Sequence, residues 1–200
     1  MARSARGRIR RGAALRCRAE AEATAASTRG SRGAAAELAG ETPGAREPVL
    51  VLATDASLLP SRPHPEPSSA VAAAAWVASD GAQGAESAPA DTLAAELRGI
   101  ALALEALLER PPMRARVLTD STAALAALRR AVSQGRSVEG PAGAELERAL
   151  AALAEARGRL EGAGLPPSAL ALEHVRAHRG DPLNEAAHAL ALAKARSLRP

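Results

Sequence analysis

Hydrophobic patterning predicts that order begins near Val49. Val49-Leu50-Val51-Leu52-Ala53-Thr54-Asp55 is a short apolar run closed by an acid, which suits a buried strand. Pro60 to Pro67 holds four prolines and must be a loop. Val71 to Val77 reads as a second strand, although its alanines suit a helix equally well. Gly81-Ala82-Gln83-Gly84 is a turn, and residues 85–89 form a short third strand. The period then changes. Leu93, Leu97, Ile100, Leu104 and Leu107 recur at spacings of four and three, one face of a helix over Asp91 to Glu109. Asp91 or Thr92 caps its start, and Pro111-Pro112 stop it.

Arg116-Val117-Leu118-Thr119-Asp120 is another short strand that ends in an acid. Ser121 to Val132 is helical, Gly135 to Gly143 is a loop, and residues 144–161 are a further helix closed by the Gly162–Pro167 breakers. Leu170 to Val175 is a strand, Arg176 to Pro182 a loop, and Leu183 to Arg196 a terminal helix. Three consecutive strands followed by strand–helix alternation predict an α/β fold, a mixed sheet with helices packed on it.

Charge divides the chain. Residues 1–48 hold 10 Arg against 5 Glu, whereas residues 49–200 hold 16 Arg and Lys against 17 Asp and Glu. The overall +4 therefore comes from the first segment, which reads as a disordered basic Ala/Arg-rich tail before a domain spanning 49–200. A basic arm that loosely holds phosphates is the functional reading of that tail, and an organelle transit peptide shares its acid-poor character. Alanine supplies about a quarter of the chain and blurs helical periodicity, because it sits on either face. Trp76 is the single aromatic side chain, which excludes a base-stacking platform. One cysteine, Cys17, excludes a disulfide framework or a cysteine-rich zinc module. His174 and His178 have a zinc-like gap but no cysteine partner, so no structural zinc is expected. No apolar run is long enough to span a membrane, and a cytoplasmic monomer is expected.

The chemistry lies in acids. Thr54-Asp55 and Thr119-Asp120 close two strands in the same way, and ligands of open α/β sheets sit at the carboxyl ends of strands. If the strands are parallel neighbours, Asp55 and Asp120 lie side by side, and a divalent cation relieves their repulsion. Oxygen ligands of this kind suit magnesium or manganese. Each acid alone would be an ordinary turn or cap residue; the matching context singles out the pair. Glu96 lies at the edge of the apolar stripe, facing the sheet, where a carboxylate needs a cation or a donor. Pairing with Arg98 is the structural alternative. Glu105 and Glu109 face solvent. His178, in a Gly/Pro-bounded loop, can shuttle a proton. His188 follows Asn184 by one helical turn, on a face kept small by Ala191 and Ala195.

Together these motifs resemble ribonuclease H of type 1 over about residues 49–196. Thr54-Asp55-Ala56-Ser57 resembles the family's first-strand motif, and Ala95-Glu96-Leu97 its first helix. Leu118-Thr119-Asp120-Ser121 resembles its fourth strand. His178-Arg179-Gly180-Asp181-Pro182-Leu183-Asn184-Glu185-Ala186-Ala187-His188 resembles its mobile-histidine loop and final helix. The resemblance implies a mixed five-stranded sheet with helices on both faces. It also implies an endonuclease that hydrolyses the RNA strand of RNA–DNA hybrids with two divalent ions, Mg2+ or Mn2+. Asp55, Glu96, Asp120 and His188 would hold the metals. His178 would assist proton transfer or product release. Ala56, Ser57, Thr92, Ser121 and Asn184 would contact substrate, selected through 2′-hydroxyls in a shallow minor groove.

The chain departs from that pattern in places. His188 stands where the family usually has Asp, which implies retained but altered activity and a shift toward manganese. Ala56 replaces a Gly, and Thr92-Leu93 replaces a polar pair. Only Arg129, Arg130 and Arg136 lie where some members carry a basic handle. Two other readings stay open: a catalytically impaired nucleic-acid-binding protein, and a related nuclease acting on another substrate.

Overall fold

The computed structural model describes residues 48–60, 70–176 and 180–199. In chain order the elements are β1 (Leu50–Leu59), β2 (Val71–Ala78), β3 (Gln83–Ala88), α1 (Thr92–Leu108), β4 (Ala115–Thr119), α2 (Thr122–Gln134), α3 (Pro141–Gly162), β5 (Leu170–His174) and α4 (Pro182–Ser197). A single 3-10 turn, Pro167–Ala169, precedes β5. His178 and the first 47 residues, including Cys17, lie outside the described residues, as does most of the proline-rich loop after Pro60.

The five strands form one sheet in the order β3-β2-β1-β4-β5. β1 pairs antiparallel with β2, and β2 with β3, while β1, β4 and β5 run parallel. The mixed α/β sheet expected from the sequence is therefore present. Strand alternation sends Leu52 and Val117 to one face, where α1, α2 and α3 build the larger core. Ala53 and Leu118 point to the other face and meet Ala187 of α4.

Small side chains set how closely these layers approach. Ala72, Ala73, Ala74 and Ala75 of β2 are all buried, as are Ala187, Ala191 and Ala195 at four-residue spacing on α4. Methyl groups at these three positions let α4 lie against the sheet, with Val77, Leu118, Leu183 and Leu190 filling the space around them. On the opposite face Leu97, Ile100 and Leu104 of α1 are fully buried, each contributing about 1.5–3 kcal/mol by leaving water. The alanine run of β2 is strand, not helix, because both its edges are paired.

Two boundaries differ from expectation for local reasons. β1 continues past Asp55 to Leu59, because β2 keeps pairing with it through Ser57↔Ala73, Leu58↔Ala72 and Leu59↔Val71. α3 starts at Pro141, so Gly143 lies inside its first turn. Proline suits that turn because its missing N–H has no intrahelical acceptor there. A side chain at Gly143 would collide with the Val138 carbonyl oxygen. Gly143→Ala is accordingly expected to destabilise the fold by about 1–3 kcal/mol in a denaturant titration, against the usual gain from Gly→Ala in a helix.

Candidate metal centre

The last residue pair between β1 and β4 is Thr54↔Thr119. The next residue on each strand is an acid, so parallel register alone brings Asp55 and Asp120 side by side. Beyond this point β4 has ended and β1 has no partner on that side. Thr54 and Thr119 beneath the acids are both fully buried, and the Thr54 hydroxyl donates to the Leu118 carbonyl at 3.3 Å. The Thr119 hydroxyl accepts from the Ser121 N–H at 3.1 Å, and Ser121 in turn caps α2 by accepting from the Ala124 N–H at 3.2 Å. The chain is thus turned sharply immediately after Asp120.

Glu96 reaches the same place from α1. Asp91 caps that helix by accepting from the Ala94 N–H at 2.7 Å. Gly99, one turn after Glu96, lets the helix approach β1. A Cβ there would stand 3.4 Å from the Thr54 Cβ and 3.5 Å from the Asp55 carbonyl, already in van der Waals contact with β1. Gly99 went unremarked in the sequence, although a glycine among strong helix formers is the usual mark of a close approach. Arg98 does not pair with Glu96. It clamps Glu145 of α3 with two hydrogen bonds and donates to the Ser87 carbonyl of β3 at 2.8 Å, fixing the helix that carries Glu96. Glu105 is not simply solvent-facing either, since Arg148 grips it at 2.6 and 2.7 Å.

Carboxylate oxygens of Asp55, Glu96 and Asp120 all lie within 4.8 Å of one another. Three acids so close repel unless protons or cations intervene. Burial first, then Asp55 and Asp120, push the Glu96 carboxyl up to about 8. Asp55 is also raised, by burial and then by Asp120, with the Ala56 N–H and His188 pulling partly back. Glu96 Oε2 is buried without a hydrogen-bond partner among the described residues. An orphaned carboxyl oxygen facing two other carboxylates is an incomplete arrangement that hard divalent cations complete. The residues present therefore fit magnesium or manganese, and Asp55, Glu96 and Asp120 would hold them.

His188 is not part of that triad. Its Nδ1 lies 2.6 Å from Asp55 Oδ2, while the Ala56 N–H donates to Asp55 Oδ1 at 2.7 Å. Both oxygens of Asp55 are therefore oriented by the protein. A neutral imidazole donating from Nδ1 keeps Nε2 as an acceptor on a half-exposed ring.

The remaining residues singled out in the sequence differ in exposure. Ser57 is buried on β1, Ala56 is partly exposed, and Thr92 is exposed at the start of α1. Asn184 is buried in the first turn of α4, and its side-chain oxygen has no partner among the described residues.

No protein-family model and no curated protein matches the chain. Solved structures do. A foamy viral protease–reverse transcriptase in complex with dsDNA is similar at 15% identity and a TM-score of 0.56, covering 74% of this chain and 95% of that one. LC9-RNase H1, a type 1 RNase H with the type 2 active-site motif, is similar at 22% identity and a TM-score of 0.51, covering 76% of this chain and 74% of that one. The chain has the RNase H-like fold. Asp55 lies on β1, Glu96 on α1, and Asp120 directly follows β4. Among the described residues no helix is long and apolar enough to cross a membrane.

Proposed function

We propose that the chain is a metal-dependent endonuclease that hydrolyses the RNA strand of RNA–DNA hybrids. The observation that carries this reading is the convergence of three carboxylates within 4.8 Å, one of them holding a buried, unpartnered oxygen. The RNase H-like fold and the order of the four motifs support it.

Divalent ions, when bound, supply Lewis-acid stabilisation of the attacking and leaving oxygens of an in-line phosphodiester displacement. The chain supplies the rest. Asp55 presents oxygens whose directions are set by Ala56 and His188. Glu96 contributes from a dry, partly enclosed position, where its charge acts strongly. Asp120 sits on the turn into α2, which the Thr119 and Ser121 hydroxyls hold with hydrogen bonds on either side of it. His178 is proposed to carry a proton to or from the reacting groups.

The test is to incubate the protein with labelled RNA–DNA hybrid, RNA duplex and DNA duplex, in magnesium and in manganese. Hybrid cleavage that disappears in Asp55→Asn supports the reading. Binding without cleavage in either metal supports the impaired member instead, and cleavage with the hybrid spared points to a nuclease of another substrate.

The position of His188 adds a prediction. Asp in its place would remove a hydrogen bond from Asp55 and add a fourth negative charge beside the metals. His188→Asp is expected to lower the magnesium concentration for half-maximal activity by about tenfold, within the range by which neighbours of metal ligands tune affinity. The same variant should melt at a lower temperature without metal, since it adds to the repulsion. A magnesium titration with melting curves in EDTA checks both.

A further inference from the structure

We propose that the exposed end of β5, carrying His174 and Arg176, is a contact surface for the phosphodiester backbone of the nucleic acid. This rests on the nuclease reading above and extends it to how the strand is aligned.

Register places the surface. His174 pairs with Thr119, and the Val175 N–H donates to the Thr119 carbonyl at 2.9 Å, so this end of β5 is level with Asp120. It lies two strand spacings from β1, about 10 Å. That is within a few nucleotides of a phosphate at the acid triad, at about 3.4 Å of rise each. Val175 packs partly against the core under α4, on the face that Asp55 and Asp120 share by strand alternation, so His174, the last residue of β5, turns to the opposite face and a strand reaching it passes over the sheet edge. Both His174 and Arg176 are exposed.

Two acids nearby have hydrogen-bond partners. Glu173 is gripped by Arg116, with Nε donating at 2.8 Å, and this pairing holds its carboxyl below the usual range. Asp181 spends its Oδ1 on the Leu183 and Asn184 N–H groups at 3.1 and 3.0 Å. Arg176 forms no ion pair among the described residues. Residues 49–200 as a whole carry a net charge of −1, so attraction for a polyanion at this end of β5 has to come from an exposed cation that is not held in an ion pair, and among the described residues Arg176 is that cation here. An arginine supplies charge, and an imidazole donates to a phosphate oxygen in either protonation state.

The experiment measures binding of fluorescently labelled RNA–DNA hybrid to the full chain by anisotropy, in EDTA, across a salt series. The variants are His174→Ala with Arg176→Ala, Arg176→Gln and Arg176→Lys. The double variant is expected to bind about tenfold more weakly, with its salt slope reduced by about one to two units at roughly 0.9 per phosphate contact. Arg176→Lys should keep most of the affinity, because it keeps the charge. Melting temperatures should be unchanged, since both side chains are exposed. In manganese, the double variant should show raised KM and unchanged kcat. An unchanged Kd and salt slope in the double variant overturns the proposal, whether or not the wild-type chain cleaves. A wild-type chain that does not bind the hybrid overturns it as well. Weakened binding in the double variant, with no protein cleaving in either metal, supports the surface and defeats the nuclease reading alone.

Discussion

Glu96→Gln is expected to reduce hybrid cleavage on the order of a thousandfold, equivalent to about 4 kcal/mol of barrier, while raising the melting temperature of the metal-free protein above pH 8. The two effects have one cause. Glu96 sits where burial, Asp55 and Asp120 all oppose its charge, and its carboxyl is pushed up to about 8. Once it ionises, the folded state carries an uncompensated buried anion with one oxygen unpartnered. Glutamine keeps the shape, removes the charge and offers N–H donors to the neighbouring carboxylates. The same change takes away a hard anionic ligand, so cations are held poorly and activity falls. Opposed effects of this kind distinguish a functional acid from a structural one. A variant that lost both activity and metal-free stability would instead mark Glu96 as part of the scaffold. Steady-state cleavage and melting curves in EDTA make the comparison.

The second large effect is the pH dependence of the metal-free protein. The Glu96 carboxyl is raised in the folded state from an ordinary value near 4.5 to about 8. The folded state then binds a proton that the unfolded chain releases between those values. Stability from this group is fully present below about 4.5, declines as pH rises, and is gone above about 8. The loss is on the order of a few kcal/mol. Asp55 is raised too and acts in the same direction. Asp80 and Glu173 are lowered, Asp80 chiefly by the Ala82 N–H and Glu173 by Arg116, so their stabilisation is lost only in more acid solution. Between pH 5 and 8 the metal-free melting temperature should therefore fall. Manganese should reverse the fall, raising the melting temperature far more at pH 8 than at pH 5, where protons compete for the carboxylates. Glu96→Gln should flatten the metal-free profile. A profile that is already flat in the wild-type protein contradicts the burial and mutual repulsion described for the triad.

Much of this was legible in the sequence because it rests on local chemistry. The leucine and isoleucine stripe fixed α1, and two Thr-Asp strand endings implied a shared site once the strands were taken as parallel. The small face of α4 implied close packing. What escaped the sequence depends on partners distant along the chain. Asp55 looks like a strand terminus, yet β1 runs on because β2 pairs with it through Leu59. The partner of His188 is Asp55, 133 residues away, and nothing near either one announces the bond. Arg98 was the local partner open to Glu96, but it is committed to Glu145 of α3, 47 residues on. Gly143 marked the end of a loop by composition, whereas Pro141 had already begun the helix.

The most direct measurement is calorimetric titration of manganese into the wild-type protein and into Asp55→Asn and Asp120→Asn near pH 7.5. The acid triad predicts measurable binding to the wild-type chain, with release of protons into the buffer, and affinity at least about tenfold weaker in each variant. Binding that is absent from the wild-type chain, or equal in all three proteins, would show that these carboxylates do not assemble a metal centre.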